Sequence, residues 1–197
     1  MFRSVNEMAA PIAVYVGVGS NVAPELELPA GVAALQQTFD VTRLSSVYRS
    51  PAFGFDGDDF LNVVIELRTQ LDADAVEAQL DAIENARRRG RRAGRFAPRE
   101  LDCDLLIYAQ QVDAARHLPR DDVLRYPFVL GPLAEIAPQL RHPLDGRPIA
   151  RHWRARSAGA RLLRIGSLEQ LQLPADAAAA VDRDDLPGNV GRITGEI

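Results

Sequence analysis

Two aspartates one residue apart, Asp102 and Asp104, follow directly on a segment that carries Arg87, Arg88, Arg89, Arg91, Arg92, Arg95 and Arg99. Leu101, Cys103, Leu105 and Ile107 alternate with Asp102, Asp104, Leu106 and Tyr108, the period-2 pattern of a strand. On a strand, residues i and i+2 face the same way, so the carboxylate roots stand about 6–7 Å apart. That spacing suits one or two Mg²⁺ ions, which lie about 3.5–4 Å apart in two-metal sites. Guanidinium groups beside such a pair can hold phosphate oxygens while the metal screens their charge. The combination points to phosphate transfer. Taken alone, Asp-x-Asp also fits a strand entering solvent with arginines as surface partners.

The composition removes several other chemistries. All 23 basic residues are arginine. With no lysine there is no P-loop lysine, no Schiff base and no kinase strand lysine. The formal charge of −4 opposes general nucleic-acid affinity. Cys103 has no second cysteine to pair with, and flanking aspartates disfavour its thiolate. His117, His142 and His152 show no metal-ligand spacing and read as surface or packing residues. No apolar run reaches the length of a membrane span. The leading segment MFRSVNEMAAP lacks a signal-peptide core, which predicts a cytoplasmic protein.

The elements that must carry these residues alternate. Ile12 to Val18 reads as a buried strand ending at a Gly-Ser-Asn turn. Leu28, Val32, Leu35 and Phe39 form one stripe of a helix. Val41 to Tyr48 is rich in β-branched residues and reads as a strand, and the run from Arg49 to Asp59 as a loop. Leu61, Val63, Ile65 and Leu67 alternate with Asn62, Val64, Glu66 and Arg68 in a third strand. Val76, Leu80 and Ile83 mark a second helix, with Asp72 at its N-cap. Tyr126 to Ala137 reads as a short helix before Pro138. The order β-α-β-β-α-β predicts an α+β fold, a ferredoxin-like split βαβ antiparallel sheet with helices packed on one face. Gly17 and Gly19 lack the third glycine of a dinucleotide fingerprint. They read as strand-to-turn packing, with close approach of a substrate to the backbone as the alternative.

Five separated segments also resemble one family in order and spacing. YVGVGSN from Tyr15, SSVYRSP from Ser45, FLNV from Phe60, RFAPRELDCDLL from Arg95 and FVLGPLAEIAP from Phe128 are similar to 6-hydroxymethyl-7,8-dihydropterin pyrophosphokinase. The resemblance implies an ATP-dependent diphosphotransferase of folate biosynthesis, passing diphosphate from ATP to a reduced pterin and releasing AMP. It implies two Mg²⁺ ions on Asp102 and Asp104, with ATP as co-substrate and small molecules, not nucleic acid or membrane, as partners. Arg89 and Arg99 would be catalytic, and Glu84, Arg91, Arg99, Leu105 and Arg120 would bind ATP. Asn62 would read the pterin edge. Phe60 and Phe128 would sandwich the ring, and Ser50, Pro51 and Phe53 would line its loop. An amide fits such an edge because it donates and accepts at once.

The chain departs from that family at Phe96, Arg88 and Asp81. Pro119-Arg120 stands in place of a common Pro-His, and Arg125 lies one position from the usual arginine. Residues 1–156 are expected to form the pyrophosphokinase domain, and 157–197 a C-terminal extension, partly disordered. In that extension, Leu162 to Leu171 is an apolar patch able to cover a sheet edge or helix face. Two rivals remain at the level of sequence: a pterin- and nucleotide-binding regulatory paralogue without turnover, and a ferredoxin-like RNA-binding module. The second would want a basic charge and an aromatic sheet face.

Overall fold

The computed structural model describes residues 10–87 and 100–172. Among them, six strands form one antiparallel sheet in the order β5-β1-β4-β3-β6, with β2 paired to β4. The strands are β1 (Ile12–Ser20), β2 (Asp40–Leu44), β3 (Val47–Ser50), β4 (Phe60–Thr69), β5 (Asp102–Tyr108) and β6 (Leu163–Gly166). The predicted ferredoxin-like order is present, with β1 between β4 and β5.

Helices α1 (Pro24–Thr38) and α2 (Ala73–Arg87) pack on one face. Their Leu28, Val32, Leu35, Val76, Leu80 and Ile83 meet the strand residues Val16, Val18, Val63, Ile65, Leu67, Cys103 and Leu105. Each such side chain, fully buried, contributes roughly 1.5–3 kcal/mol. Helix α1 begins a turn earlier than the apolar stripe suggests, because Pro24 occupies a first-turn position and Glu25 and Glu27 favour the positive end of the helix dipole. Asp72 caps α2 as expected, its Oδ1 accepting from the Ala75 N–H at 2.8 Å.

The opposite face is covered only in part. Helices α3 (Asp122–Arg125), α4 (Pro127–Ile136) and α5 (Ile149–Arg156) bring Val123, Leu130, Leu133 and Ile149 against Tyr15, Val64, Leu106 and Ile107. His142, before α5, and His152, within it, are buried with ring centres 5.8 Å apart, and Asp145 lies 3.1 Å from His152 Nε2. Both histidines therefore pack inside the protein.

Two strand readings need correction. The strand expected from Val41 to Tyr48 breaks at Ser45-Ser46. Ser45 Oγ accepts from the Val64 N–H, and Glu135 of α4 takes both the Ser46 N–H and its hydroxyl at 3.0 and 2.7 Å. The Ser45 N–H still donates to the Val64 carbonyl at 2.9 Å, and side-chain partners replace the rest of the ladder there. The second is the phase of β5. Val16 pairs with Leu105 but Tyr15 with Ile107, so Leu106 is an extra residue in a β-bulge. Ile107 consequently joins Leu106 in the second cluster, not Cys103 and Leu105 in the first.

The apolar patch after Ser157 supplies β6, which pairs with β3, and α6 (Leu168–Gln172), which lies against α1. The disorder expected of the tail falls on 173–197, outside the described residues.

Gly31 on α1 faces Leu101, the fully buried residue just before Asp102. A Cβ there would stand 2.5 Å from Leu101 Cδ1. Overpacking of this kind costs about 1–3 kcal/mol, against about 1 kcal/mol gained in helix propensity. Gly31→Ala is expected to lower the melting temperature by a few degrees; a variant as stable as the parent would mean that Leu101 can yield.

Candidate active site

Three strands present their ends to one cavity of about 180 Å³ on the sheet face away from α1 and α2. Its floor is β1. Gly19 pairs with Asn62 on one side and Asp102 on the other, and Gly17 with Val64 and Asp104. With neighbouring strands about 4.8 Å apart, the two glycines leave a bare strip between the carboxylates of β5 and the amide of β4. A Cβ on Gly19 would stand 3.1 Å from Asn62 Oδ1, so a side chain here would press on that amide. Both glycines line the cavity, which places the backbone where a ligand can approach it.

The β4 wall is polar at one point and aromatic around it. Asn62 is buried, and its Nδ2 donates to Ser50 Oγ at 3.1 Å and to the Phe60 carbonyl at 3.5 Å. Ser50 thereby sets which way the amide faces. Phe55 meets Phe60 edge to face at 6.2 Å. Across the cavity, Tyr126 stacks on Phe128 at 5.0 Å with planes 10° apart, and Phe53 tilts against Tyr126 at 4.9 Å. Asn21 Nδ2 donates to the Asp58 carbonyl, tying the loop that carries these phenylalanines to the end of β1.

The β5 wall is charged. Arg120 Nη2 lies 2.8 Å from Asp104 Oδ1, and Arg120 Nε donates to Asp122 Oδ2 at 2.9 Å. Burial works against the charge on Arg120, but Asp104, Asp122 and Glu77 outweigh it and raise the guanidinium above its ordinary value. Between the two aspartates, the Cys103 N–H donates to Glu84 Oε1 at 2.7 Å. Burial, with the carboxylates of Glu84 and Asp104 adding to it, pushes the Cys103 thiol well up. A thiolate nucleophile is therefore excluded there.

Of the residues singled out from the sequence, Ser50, Pro51, Phe53, Phe60, Asn62, Asp102, Asp104, Arg120 and Phe128 all line this cavity. Glu84 and Leu105 do not: Glu84 is buried behind Cys103, and the Leu105 side chain faces the helices. Arg89, Arg91 and Arg99 lie outside the described residues, as do Arg88 and Phe96. Sequence reading passed over Phe55, Tyr126 and Asp122. Tyr126 was masked by Arg125, whose guanidinium lies over the Tyr126 ring at 5.3 Å while Tyr126 takes the cavity position. The signal available was Pro127, which holds the preceding residue extended.

Magnesium favours oxygen ligands, commonly one or two carboxylates completed by water and substrate phosphates. Asp102 and Asp104 offer that donor set on one strand face, and Asp104 already attracts a cation in the Arg120 guanidinium. Among the described residues, no group of three or more His, Cys, Asp or Glu side chains is arranged to hold a metal. The pair thus suits a substrate-completed magnesium site and not a closed zinc site.

Comparison with known proteins shows the family. Residues 15–138 match the family model described as 7,8-dihydro-6-hydroxymethylpterin-pyrophosphokinase. A Synechocystis protein named 2-amino-4-hydroxy-6-hydroxymethyldihydropteridine pyrophosphokinase is 41% identical over 140 residues, covering 68% of this chain and 71% of its own. A Pseudomonas aeruginosa protein of the same name is 41% identical over 145 residues, 68% of this chain and 85% of its own. The corresponding Aquifex aeolicus protein is 31% identical over 140 residues, 69% and 87%. A Plasmodium falciparum HPPK-DHPS structure superposes with a TM-score of 0.62 at 9% identity, covering 78% of this chain and 47% of that one. At that identity the superposition speaks for the fold alone, and this chain spans about half the length of that two-part protein. The family match and the curated relatives carry the assignment: the chain belongs to the 7,8-dihydro-6-hydroxymethylpterin-pyrophosphokinase family.

Proposed function

We propose that this protein transfers diphosphate from ATP to the hydroxymethyl group of 6-hydroxymethyl-7,8-dihydropterin, releasing AMP, as a step of folate biosynthesis. The observation that carries the reading is the bare glycine strip of β1. It has an amide and aromatic rings on one side and a carboxylate pair on the other. A flat ring edged with donors and acceptors fits the first side, and a metal-bound polyphosphate fits the second.

On the pterin side, Asn62 meets the ring edge in the orientation that Ser50 imposes. Phe60 and Phe128 cover the ring faces, each stacking contact contributing about 0.5–1.5 kcal/mol beyond burial. Pro51 and Phe53 close the loop side. On the nucleotide side, Asp102 and Asp104 would hold two Mg²⁺ ions, which when bound screen the polyphosphate and acidify the substrate hydroxyl. Arg120 at the cavity and Arg91 in the arginine-rich segment bind phosphate oxygens. Arg89 and Arg99 stabilise charge on the group in transfer, a role taken from the family motif. Glu84 contributes through β5: by holding the Cys103 N–H it fixes the strand that carries both aspartates. Leu105 meets the nucleotide only through its backbone, since its side chain lies in the core.

No covalent intermediate is needed. The chain's task is positioning, by holding the acceptor hydroxyl and the polyphosphate in one water-poor cleft, which is where much of the rate advantage of phosphoryl transfer arises. Among the described residues no helix is long and apolar enough to cross a membrane. A cytoplasmic location accords with nucleotide and reduced pterin as substrates.

The direct test is AMP formation from ATP, dependent on the reduced pterin; binding of both ligands without AMP would leave a pterin-binding paralogue. Asp102→Asn and Asp104→Asn are each expected to reduce turnover by at least about 10²-fold, the scale of losing one charge-stabilising group, with circular dichroism unchanged. Near-parental activity in either variant would sink the metal assignment.

Asn62→Ala leaves buried polar partners unmatched, at about 1–3 kcal/mol. Pterin affinity is therefore expected to fall between about fivefold and 150-fold, with nucleotide affinity little changed. Calorimetry with a non-hydrolysable ATP analogue reads both, and equal losses would instead indicate a disturbed sheet.

A further inference from the structure

We propose that Arg120 is an internal counter-cation that keeps divalent metal off Asp104 until a polyphosphate arrives, and so couples metal binding to nucleotide binding. The inference rests on the reading of Asp102 and Asp104 as the metal pair. Three observations carry it. The guanidinium of Arg120 bridges two carboxylates at the cavity wall, 2.8 Å from Asp104 and 2.9 Å from Asp122. Its backbone is fixed, the N–H donating to the Leu106 carbonyl at 2.8 Å and the carbonyl accepting from the Val123 N–H at 3.1 Å. The side chain lines the cavity and is 38% exposed, so it can leave Asp104 by rotating within open space.

A metal ion on Asp104 would meet a guanidinium a few ångströms away, and like charges at that distance repel. In the absence of nucleotide, the metal must displace Arg120 from a charge-assisted bond that already satisfies the carboxylate. A polyphosphate changes the balance. It gives the guanidinium fork new oxygen acceptors within reach of the same anchored backbone, while Asp122 still holds part of it. Metal and nucleotide then enter together. Such coupling is reciprocal, so metal raises nucleotide affinity by the same factor. A histidine at this position, as in the common Pro-His, is mostly neutral at pH 7 and imposes less of this block.

Mn²⁺ in place of Mg²⁺ makes the test direct, with free Mn²⁺ counted by electron paramagnetic resonance on the full chain. Without nucleotide, Arg120→Ala is expected to bind Mn²⁺ about tenfold more tightly than the parent, the Coulomb term being discounted for the partial exposure of the pair. Arg120→Lys, which keeps the charge, should stay near the parental value. With a non-hydrolysable ATP analogue present, the parent should gain far more Mn²⁺ affinity than Arg120→Ala does. If Arg120→Ala melts early, Arg120→Gln supplies the neutral side chain at nearly the same bulk. Equal or weaker Mn²⁺ binding by the folded neutral variant without nucleotide overturns the proposal, as does an analogue effect of the same size in both proteins. Undiminished Mn²⁺ binding by Asp104→Ala with the analogue present would overturn the aspartate-pair reading itself, and this inference with it.

Discussion

The pairing register of β1 between β4 and β5 is the constraint on which the rest of the site depends. Because side chains alternate along a strand, a slip of one residue exchanges its two faces. In the observed register, Val18 opposes Val63 and Cys103 inside the core shared with α1 and α2. Gly17 and Gly19 then fall on the cavity face. A one-residue slip of β1 would turn both glycines into the core and stand Val16 and Val18 in the cavity. The same apolar residues that stabilise the sheet therefore leave the strip between Asn62 and Asp102 bare. Core and site are two faces of one hydrogen-bond ladder.

Charge is distributed in keeping with that division. Three carboxylates away from the cavity, Glu66, Glu135 and Glu27, are occupied by structural donors. Glu66 accepts from Tyr15 Oη at 3.1 Å, and burial together with Glu66 lifts the Tyr15 hydroxyl to about 12. Glu135 takes Ser46 and Tyr48 and so joins α4 to the broken strand edge. Glu27 takes Arg87, binding α1 to α2. Asp104 and Asp122 differ in that their shared partner, Arg120, sits at an open cavity.

Much of this was legible in the residues. In β4 and the first half of β5 the residues facing α1 and α2 are apolar, and the helical stripes meet the same core, so periodicity found all of them. What escaped was set by contacts distant in sequence. The bulge at Leu106 exists because β1 and β5 must bury apolar residues on both faces beyond the cavity, and no local pattern encodes that change of phase. The break at Ser45-Ser46 depends on Glu135, 89 residues away. Glu84 was assigned to the nucleotide side by motif; its hold on the Cys103 N–H, which the packing of α2 on β5 brings within reach, was not read from the sequence. Asp102 and Asp104 were legible because two carboxylates one residue apart on a strand beside many arginines are unusual, and Asn62 through the family motif. Phe55 and Tyr126 were not, because aromatic residues beside glycine and proline have many ordinary reasons to be there.

Tyr126 shows how little local chain is needed to shape the aromatic side of the cavity. It precedes Pro127, which disfavours the helical conformation one residue earlier, and Tyr126 is extended at φ −113° and ψ 126°. Pro127 then starts α4, its missing N–H costing nothing in the first turn. One extended residue followed by the first residues of the helix brings Tyr126 and Phe128 face to face at 5.0 Å. The Val129 and Leu130 amides bond back to the Tyr126 carbonyl, which locks that geometry to the helix. Phe53, on a loop tethered at Asp58 by Asn21, leans on the outer ring of the pair. The rings thus reach their positions from a helix start on one side and a tethered loop on the other, both anchored to the sheet. Phe128 on the helix, Tyr126 at its start and Asn62 on the strand are thereby fixed by regular structure, and Phe53 by a single tether.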